Sequence, residues 1–90
     1  MRIFVTGGAE GKIAEMYEGL KQFNSWHSVR KYEKDMPAKV VVAELKQADL
    51  IIFVGVTGEG GPYNPDYISY TELAYQAGIC ANSGLNYIFL

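Results

Sequence analysis

The sequence contains a single cysteine, Cys80, and a single histidine, His27, among 90 residues. One cysteine excludes an internal disulfide framework and a cysteine-based zinc cluster. One histidine with no second His or Cys near it supports neither a metal site nor a catalytic triad, and we expect no cofactor. There is no run of roughly 18 apolar residues and no charged-then-apolar leader, so neither a membrane span nor a signal peptide is expected. These absences predict one cytoplasmic domain over residues 1–90.

Positive charge is missing from the second half of the chain. All eight Lys and Arg residues lie between Arg2 and Lys46 with six acidic residues, whereas four acidic residues and no Lys or Arg follow. The net charge of −2 leaves no basic excess for a nucleic acid polymer. A ligand phosphate would have to meet the first half or the N–H groups at helix starts. The second half suits hydroxyl-rich or uncharged ligand parts, although chance clustering also explains the asymmetry.

Hydrophobic periodicity predicts an alternation of strands and helices. Apolar runs at residues 2–6 and 50–54 are typical of buried parallel strands, and the spacing of Ile13, Met16 and Leu20 is typical of a helix. Residues 39–47 combine strand-like and helix-like segments, and we assign a helix because a crossover is needed there. The predicted order is strand 2–6, a helix of about four turns ending near 23, strand 26–32, helix 39–47, strand 50–54, helix 70–81 and buried strand 87–90.

This order predicts a small doubly wound sheet, Rossmann-like or flavodoxin-like, of about four parallel strands in a three-layer α/β/α arrangement. Ligands of such sheets lie beyond the carboxyl ends of the strands. Two of those ends carry the Gly7-Gly8 turn and a Gly/Pro-rich loop that begins at Gly55. We therefore expect both loops to contact a ligand at one edge. Exposed sheet edges and a limited core also predict a homo-oligomer.

The Gly7-Gly8 turn follows a strand and opens a helix, as a phosphate-binding turn does. Glycines there would let backbone N–H groups approach a ligand. The short-chain dehydrogenase pattern TGxxxGxG fails at its last glycine, where Ile13 stands. A plain strand-to-helix turn is the alternative interpretation, and generic ligand contact is compatible with either.

Glu72 lies at the start of the last predicted helix and has two interpretations. It is the third residue after Ser69, the spacing of a capping box. Alternatively, its carboxylate rises over the sheet edge and acts as a nucleophile or stabilises an oxocarbenium ion. Asp66 binds a sugar hydroxyl or assists proton transfer, or it is a turn residue. Tyr63, Tyr67 and Tyr70 either stack on a base or form a subunit interface.

The segment from Gln47 to Gly78 resembles the nucleoside 2-deoxyribosyltransferase family. The resemblance rests on Ala48-Asp49 before a buried strand, then a loop, then a helix whose start carries Glu72. It implies a small doubly wound sheet, a glutamate that attacks the anomeric carbon of a nucleoside, and active sites shared across a dimer. By position, it assigns the nucleophile to Glu72, a sugar or phosphate contact to Asp66, and the first ligand loop to the Gly7-Gly8 turn.

The predicted function is a reaction at the N-glycosidic bond of a nucleoside or nucleotide, as a deoxyribosyltransferase or an N-glycoside hydrolase. A non-catalytic protein that binds or sequesters a nucleotide-derived ligand is the alternative, and an oligomerising domain without a ligand is a third. Whether the chain is catalytic stays open. The predicted catalytic residues are Glu72 and Asp66, and the predicted ligand contacts are Gly7, Gly8, Gly55, Tyr63, Tyr67 and Ser69.

Overall fold

A computed structural model describes residues 1–23, 28–56 and 68–90 of the chain. The elements in chain order are β1 (Arg2–Gly7), α1 (Glu10–Phe23), β2 (Ser28–Lys31), α2 (Ala38–Gln47), β3 (Leu50–Val54), α3 (Tyr70–Asn82) and β4 (Tyr87–Phe89). This order confirms the predicted alternation, including the helix assigned over residues 39–47. The predicted second strand began at residue 26, and Trp26 lies outside the described residues.

The strands of the described residues form one parallel sheet in the order β2-β1-β3-β4. From β1 the chain moves outward to β2, then returns past β1 to β3 and continues to β4. Right-handed crossovers therefore place α1 on one face and both α2 and α3 on the other. The packing agrees, because α2 contacts α3 whereas α1 packs on β1 and β2. The predicted doubly wound α/β/α arrangement is confirmed.

The inner strands β1 and β3 form the centre of the core. Phe4, Val5, Ile51 and Phe53 are essentially inaccessible to solvent. A parallel strand covered by helices on both faces must be apolar throughout, which explains the unbroken apolar runs. Cys80 is also fully buried, and burial raises the pKa of its thiol. The buried apolar cluster comprises Ile3, Phe4, Val5, Ile13, Tyr32, Val41, Leu45, Ile51, Ile52, Phe53, Val54, Ile68 and Cys80.

The helices have ends that the sequence explains. Pro37 lies at the N-cap position of α2, where its missing N–H costs no hydrogen bond. After α3, Gly84 adopts a left-handed conformation (φ 64°), and the Leu85 N–H donates to the Cys80 carbonyl at 3.0 Å. This pattern is the Schellman ending that glycine favours. Among the described residues, no helix is long and apolar enough to cross a membrane.

The last strand differs from the buried strand predicted over residues 87–90. Tyr87, Ile88, Phe89 and Leu90 are 38–63% exposed. The reason is position, because β4 is an edge strand that pairs with β3, and no described helix packs extensively against it. The Phe89 ring stacks on Phe53 with centroids 4.7 Å apart and leaves its other side to solvent. The prediction of burial for this strand was therefore wrong.

Candidate functional site

The carboxyl ends of β1 and β3 meet at one edge of the sheet. Gly7 lies beside Val54, and the Gly8 N–H donates to the Val54 carbonyl at 3.1 Å. The Gly8 carbonyl accepts from the Ile68 N–H at 2.8 Å, which brings the segment before α3 to the same place. The chain leaves β1 towards β2 and leaves β3 towards β4, so this is the point where the strand order reverses. Ligands of open α/β sheets bind at such points.

Gly7 and Gly8 are required by the close approach of the two strand ends. Gly7 has a φ of 149°, and a Cβ added to it would overlap the Val54 carbonyl oxygen. A Cβ added to Gly8 would lie 2.6 Å from the Gly55 carbonyl oxygen, well inside van der Waals contact. The Gly8 N–H is already bonded to Val54. Strand packing thus explains the glycines of this turn, and their predicted contact with a ligand stays a prediction.

Glu72 lies in the first turn of α3, directly above this edge. The Ser69 Oγ accepts a hydrogen bond from the Glu72 N–H at 3.2 Å, so Ser69 is the N-cap that the sequence predicts. The Glu72 side chain accepts a bond at Oε1 from the Gln76 Nε2, at 2.9 Å. Residues four apart share a helix face, which explains this pairing. The carboxylate is therefore oriented along α3.

A second hydrogen bond ties Gln76 to the end of β1. The Thr6 Oγ1 donates to the Gln76 Oε1 at 2.7 Å, and both side chains are fully buried. An ionised carboxylate only accepts, so the amide nitrogen must face Glu72 and the amide oxygen must face the Thr6 hydroxyl. We call this the Thr6–Gln76–Glu72 relay. It fixes the amide orientation, and through it the position of the Glu72 carboxylate over the sheet edge.

Tyr32 follows β2 at the same edge of the sheet. Its side chain is buried, and its hydroxyl donates to the Lys34 carbonyl at 3.2 Å. Burial, and then the negative charges of Glu72, Asp35 and Glu10, raise the pKa of Tyr32 to about 12. The phenol is therefore neutral at physiological pH. It is a buried hydrogen-bonding group in the field of three carboxylates.

A cavity of about 260 Å³ adjoins Tyr32. Glu10 and Ile13 of α1 form one wall, and Lys31 at the end of β2 forms the other with the residues that follow it. Within the described residues, no group of three or more His, Cys, Asp or Glu side chains is arranged to hold a metal ion. The described edge therefore offers carboxylates, a hydroxyl and backbone groups to a ligand.

The predicted site residues fall into two groups. The structure brings the Gly7-Gly8 turn, Gly55, Ser69 and Glu72 together at the carboxyl edge. The predictions made for Asp66, Tyr63, Tyr67 and His27 lie outside the described residues.

Thr6, Gln76 and Tyr32 were missed by the sequence analysis. Thr6 and Gln76 are polar residues on otherwise apolar element faces, which is the signal that would have found them. Tyr32 is an aromatic residue beside the acidic segment that follows β2. Each of these signals is weak without knowledge of the partner residue.

Asp49, which contributes to the family resemblance, lies at the opposite end of the sheet. The Arg2 N–H donates to the Asp49 Oδ2 at 2.7 Å, and the Asp49 N–H donates to the Arg2 carbonyl at 2.7 Å. These two bonds join the start of β3 to the start of β1. The structure thus gives Asp49 a role in holding the sheet together.

Glu44 of α2 is a second carboxylate, nearer the amino end of the sheet. It is 8% exposed, and its Oε1 lies 2.9 Å from the Arg30 Nε. The Arg2 guanidinium is farther away, with Nη2 3.5 Å from Oε2. Among the described residues, Glu44 Oε2 and Arg2 Nε lack hydrogen-bond partners, so the Arg2 contact is an ion pair without a hydrogen bond. This cluster joins α2 to β1 and β2.

Comparisons with known proteins do not identify a family. No family model matches the chain, and neither a curated protein nor a solved structure matches it. The resemblance to the nucleoside 2-deoxyribosyltransferases therefore stays a prediction that rests on the residues quoted for it.

Proposed function

We propose that the chain acts on the N-glycosidic bond of a nucleoside or nucleotide, with Glu72 as the nucleophile. The observation that carries the proposal is the Thr6–Gln76–Glu72 relay. A buried threonine and a buried glutamine hold one carboxylate at the point where ligands of this fold bind. Fully buried polar side chains are costly unless they are bonded, so a relay of this kind suits a fixed functional position.

The relay leaves Glu72 suited to covalent catalysis. Gln76 bonds Oε1, and no described residue donates a hydrogen bond to Oε2. In the proposed reaction a carboxylate oxygen bonds C1′ while the bond from C1′ to the base breaks, and the base leaves with the electron pair. A second base or water then attacks C1′ and releases the carboxylate. Attack by a second base transfers the sugar, and attack by water hydrolyses the nucleoside.

A neutral Tyr32 hydroxyl supports the same proposal. Its raised pKa keeps it protonated beside three carboxylates. The phenol hydrogen is donated to the Lys34 carbonyl, so the phenol oxygen and the carboxylates would both accept hydrogen bonds from sugar hydroxyls. Such contacts would orient the sugar ring without adding charge to the leaving base.

Exchange of the base tests the proposal directly. Purified protein is incubated with a 2′-deoxynucleoside or its monophosphate and a different free base, and products are separated by liquid chromatography. We expect free base or an exchanged nucleoside from the wild type and from Glu18→Gln, an exposed control on α1. Glu72→Gln should form neither product. Base release that persists at the wild-type rate in Glu72→Gln would contradict the role of Glu72.

Binding of the same ligands without chemistry is the second candidate. The hydrogen bond from Gln76 serves this candidate equally, because a carboxylate held in place can accept hydrogen bonds from ligand hydroxyls without attacking C1′. Calorimetry with nucleosides and nucleoside monophosphates separates the candidates. Heat that disappears in Glu72→Gln, with no base released by the wild type, supports binding alone. No heat with any of these ligands, together with no base release, contradicts both candidates.

A further inference from the structure

The outer edge of β4 is open in the described structure. The Leu90 N–H donates to the Phe53 carbonyl, and the Ile51 N–H donates to the Asn86 carbonyl, so even-numbered residues of this segment bond to β3. Backbone groups alternate in direction along a strand. The N–H and C=O groups of Tyr87 and Phe89 therefore point away from the sheet. They form a short template for another strand.

The two edge strands of the sheet differ in charge. β2 carries Arg30 and Lys31, and charged side chains are a common protection of edge strands against pairing. β4 has no such protection, since no charged side chain follows Glu72 in the sequence. Tyr87, Ile88 and Phe89 are all large, apolar and 38–54% exposed. An identical β4 edge would meet no charge repulsion there.

The pattern of residue types in β4 is the same in both chain directions. Tyr87-Ile88-Phe89 reads as aromatic, Ile, aromatic in both directions. In an antiparallel pair centred on Ile88, Tyr87 would lie opposite Phe89 of the partner subunit. Cross-strand aromatic pairs of this kind stabilise sheets. An isologous contact requires such self-complementarity, and an unrelated strand would not need it.

We propose that two copies of this chain associate through antiparallel pairing of their β4 strands. The two-fold axis passes beside Ile88, and the two four-stranded sheets become one continuous sheet of the dimer. Because the N–H and C=O groups of Tyr87 and Phe89 point outward, these residues form the hydrogen-bonded pairs. Ile88 then faces Ile88 of the partner subunit in a non-hydrogen-bonded pair, where side chains approach most closely.

Sedimentation over a concentration series tests this interface. We expect a reversible dimer for the wild type, and an increase of at least about tenfold in dimer Kd for Ile88→Lys. The expectation follows because the symmetry places two ammonium groups opposite each other, where like charges destabilise pairing. Ser28→Lys adds the same charge to the exposed edge of β2 and should leave the Kd unchanged. Ile88→Val should keep the dimer.

Amide exchange of the wild-type protein gives an independent measurement that does not depend on a variant. The outward N–H groups of Tyr87 and Phe89 should exchange more slowly as the protein concentration rises. Circular dichroism of each variant verifies that it is folded. A wild-type monomer at every concentration overturns the proposal, and so does a dimer that folded Ile88→Lys leaves unchanged. Neither result bears on the proposed role of Glu72, which lies at the carboxyl ends of the strands and not on the outer strand β4.

Discussion

At the amino end of the sheet Glu44 lies between two arginines, whereas at the carboxyl end Glu72 accepts a hydrogen bond from an amide. Both are glutamates on helices of the same face. Glu44 is nearly buried, and its partners belong to β1 and β2. Glu72 is half-buried, and its partner Gln76 lies on its own helix. The first carboxylate is neutralised by its surroundings, and the second keeps its charge uncompensated by these contacts.

The Glu44 carboxylate connects a helix to two strands, whereas the Glu72 carboxylate is itself held in place by a neighbouring side chain. An ion pair between strands and a helix adds connections, although the net gain is limited by the cost of removing charges from water. A carboxylate fixed by neutral hydrogen bonds contributes less connection but keeps its negative charge available to a ligand. Glu72 also stands at the reversal of strand order, and Glu44 does not. If Glu72 instead proved necessary for stability and Glu44 for turnover, this assignment of roles would be wrong.

Glu72→Gln carries the largest expected effect. Under the proposed mechanism it removes the nucleophile, so turnover should fall by at least about a thousandfold. The new amide can still accept a hydrogen bond from Gln76, and the free energy of unfolding should change by less than about 1 kcal/mol. Base-release assays and urea unfolding measure the two quantities. Strong destabilisation with retained turnover would show that Glu72 holds the fold together and is not the nucleophile.

Tyr32 gives the stability of the protein a dependence on pH. The folded protein raises the pKa of Tyr32 from its usual value of 10.0 to about 12, so it retains the phenol proton longer than the unfolded chain. This contribution is fully present below pH 10.0 and is lost as the pH rises towards 12. The loss should reach up to about 2–3 kcal/mol.

Comparison with Tyr32→Phe isolates that contribution, since other tyrosines and lysines titrate in the same range. Urea unfolding at about pH 9 and about pH 11 should show a steeper loss of stability in the wild type than in the variant. Parallel losses in both proteins would show that burial and the nearby carboxylates do not raise the pKa of Tyr32.

Glu44→Gln should affect stability and leave turnover unchanged. It removes the charge that two arginines face, at a cost between those of an exposed and a buried ion pair, about 1–3 kcal/mol. Glu15→Gln is the matched control, because Glu15 is exposed and lies 4.0 Å from Lys12. That control should cost less than about 0.5 kcal/mol. Equal losses in the two variants would remove the distinction between the Glu44 cluster and a surface ion pair.

The sequence predicts the inner part of this fold better than its edge. The apolar runs of β1 and β3 leave no alternative to a position between two helical layers, so order and burial follow from the pattern. Residues 87–90 form a similar apolar run, yet they are exposed. Whether a strand is covered depends on which elements reach it, and this is not encoded within the strand. Local pattern therefore predicts the strand and not its burial.

The candidate site also contains residues that the sequence predicts and residues that it does not. Ser69 and Glu72 are recognisable because a cap and its third residue lie close together in the sequence. Thr6 and Gln76 are 70 residues apart, and neither is recognisable without the other. A single polar residue on an apolar face predicts a buried hydrogen bond and leaves its partner undetermined. From the sequence, the turn that contains Gly7 is either a plain strand-to-helix turn or a ligand contact. The structure shows that Gly7 is required by the close approach of Val54.

Thr6→Val carries the smallest expected effect and tests whether the relay acts through Gln76. The substitution keeps the shape of the side chain and removes the donor to the Gln76 Oε1, which leaves a buried oxygen unpaired at a cost of about 1 kcal/mol. The amide is then free to rotate, and the Glu72 carboxylate loses its fixed position. Under the proposed mechanism kcat should fall about tenfold with little change in KM, since a misplaced nucleophile affects the reacting state more than binding. Thr71→Val places the same change on an exposed position of α3 and should alter neither quantity. If Thr6→Val lowers stability while kcat stays at the wild-type value, the relay holds the fold together and does not position Glu72.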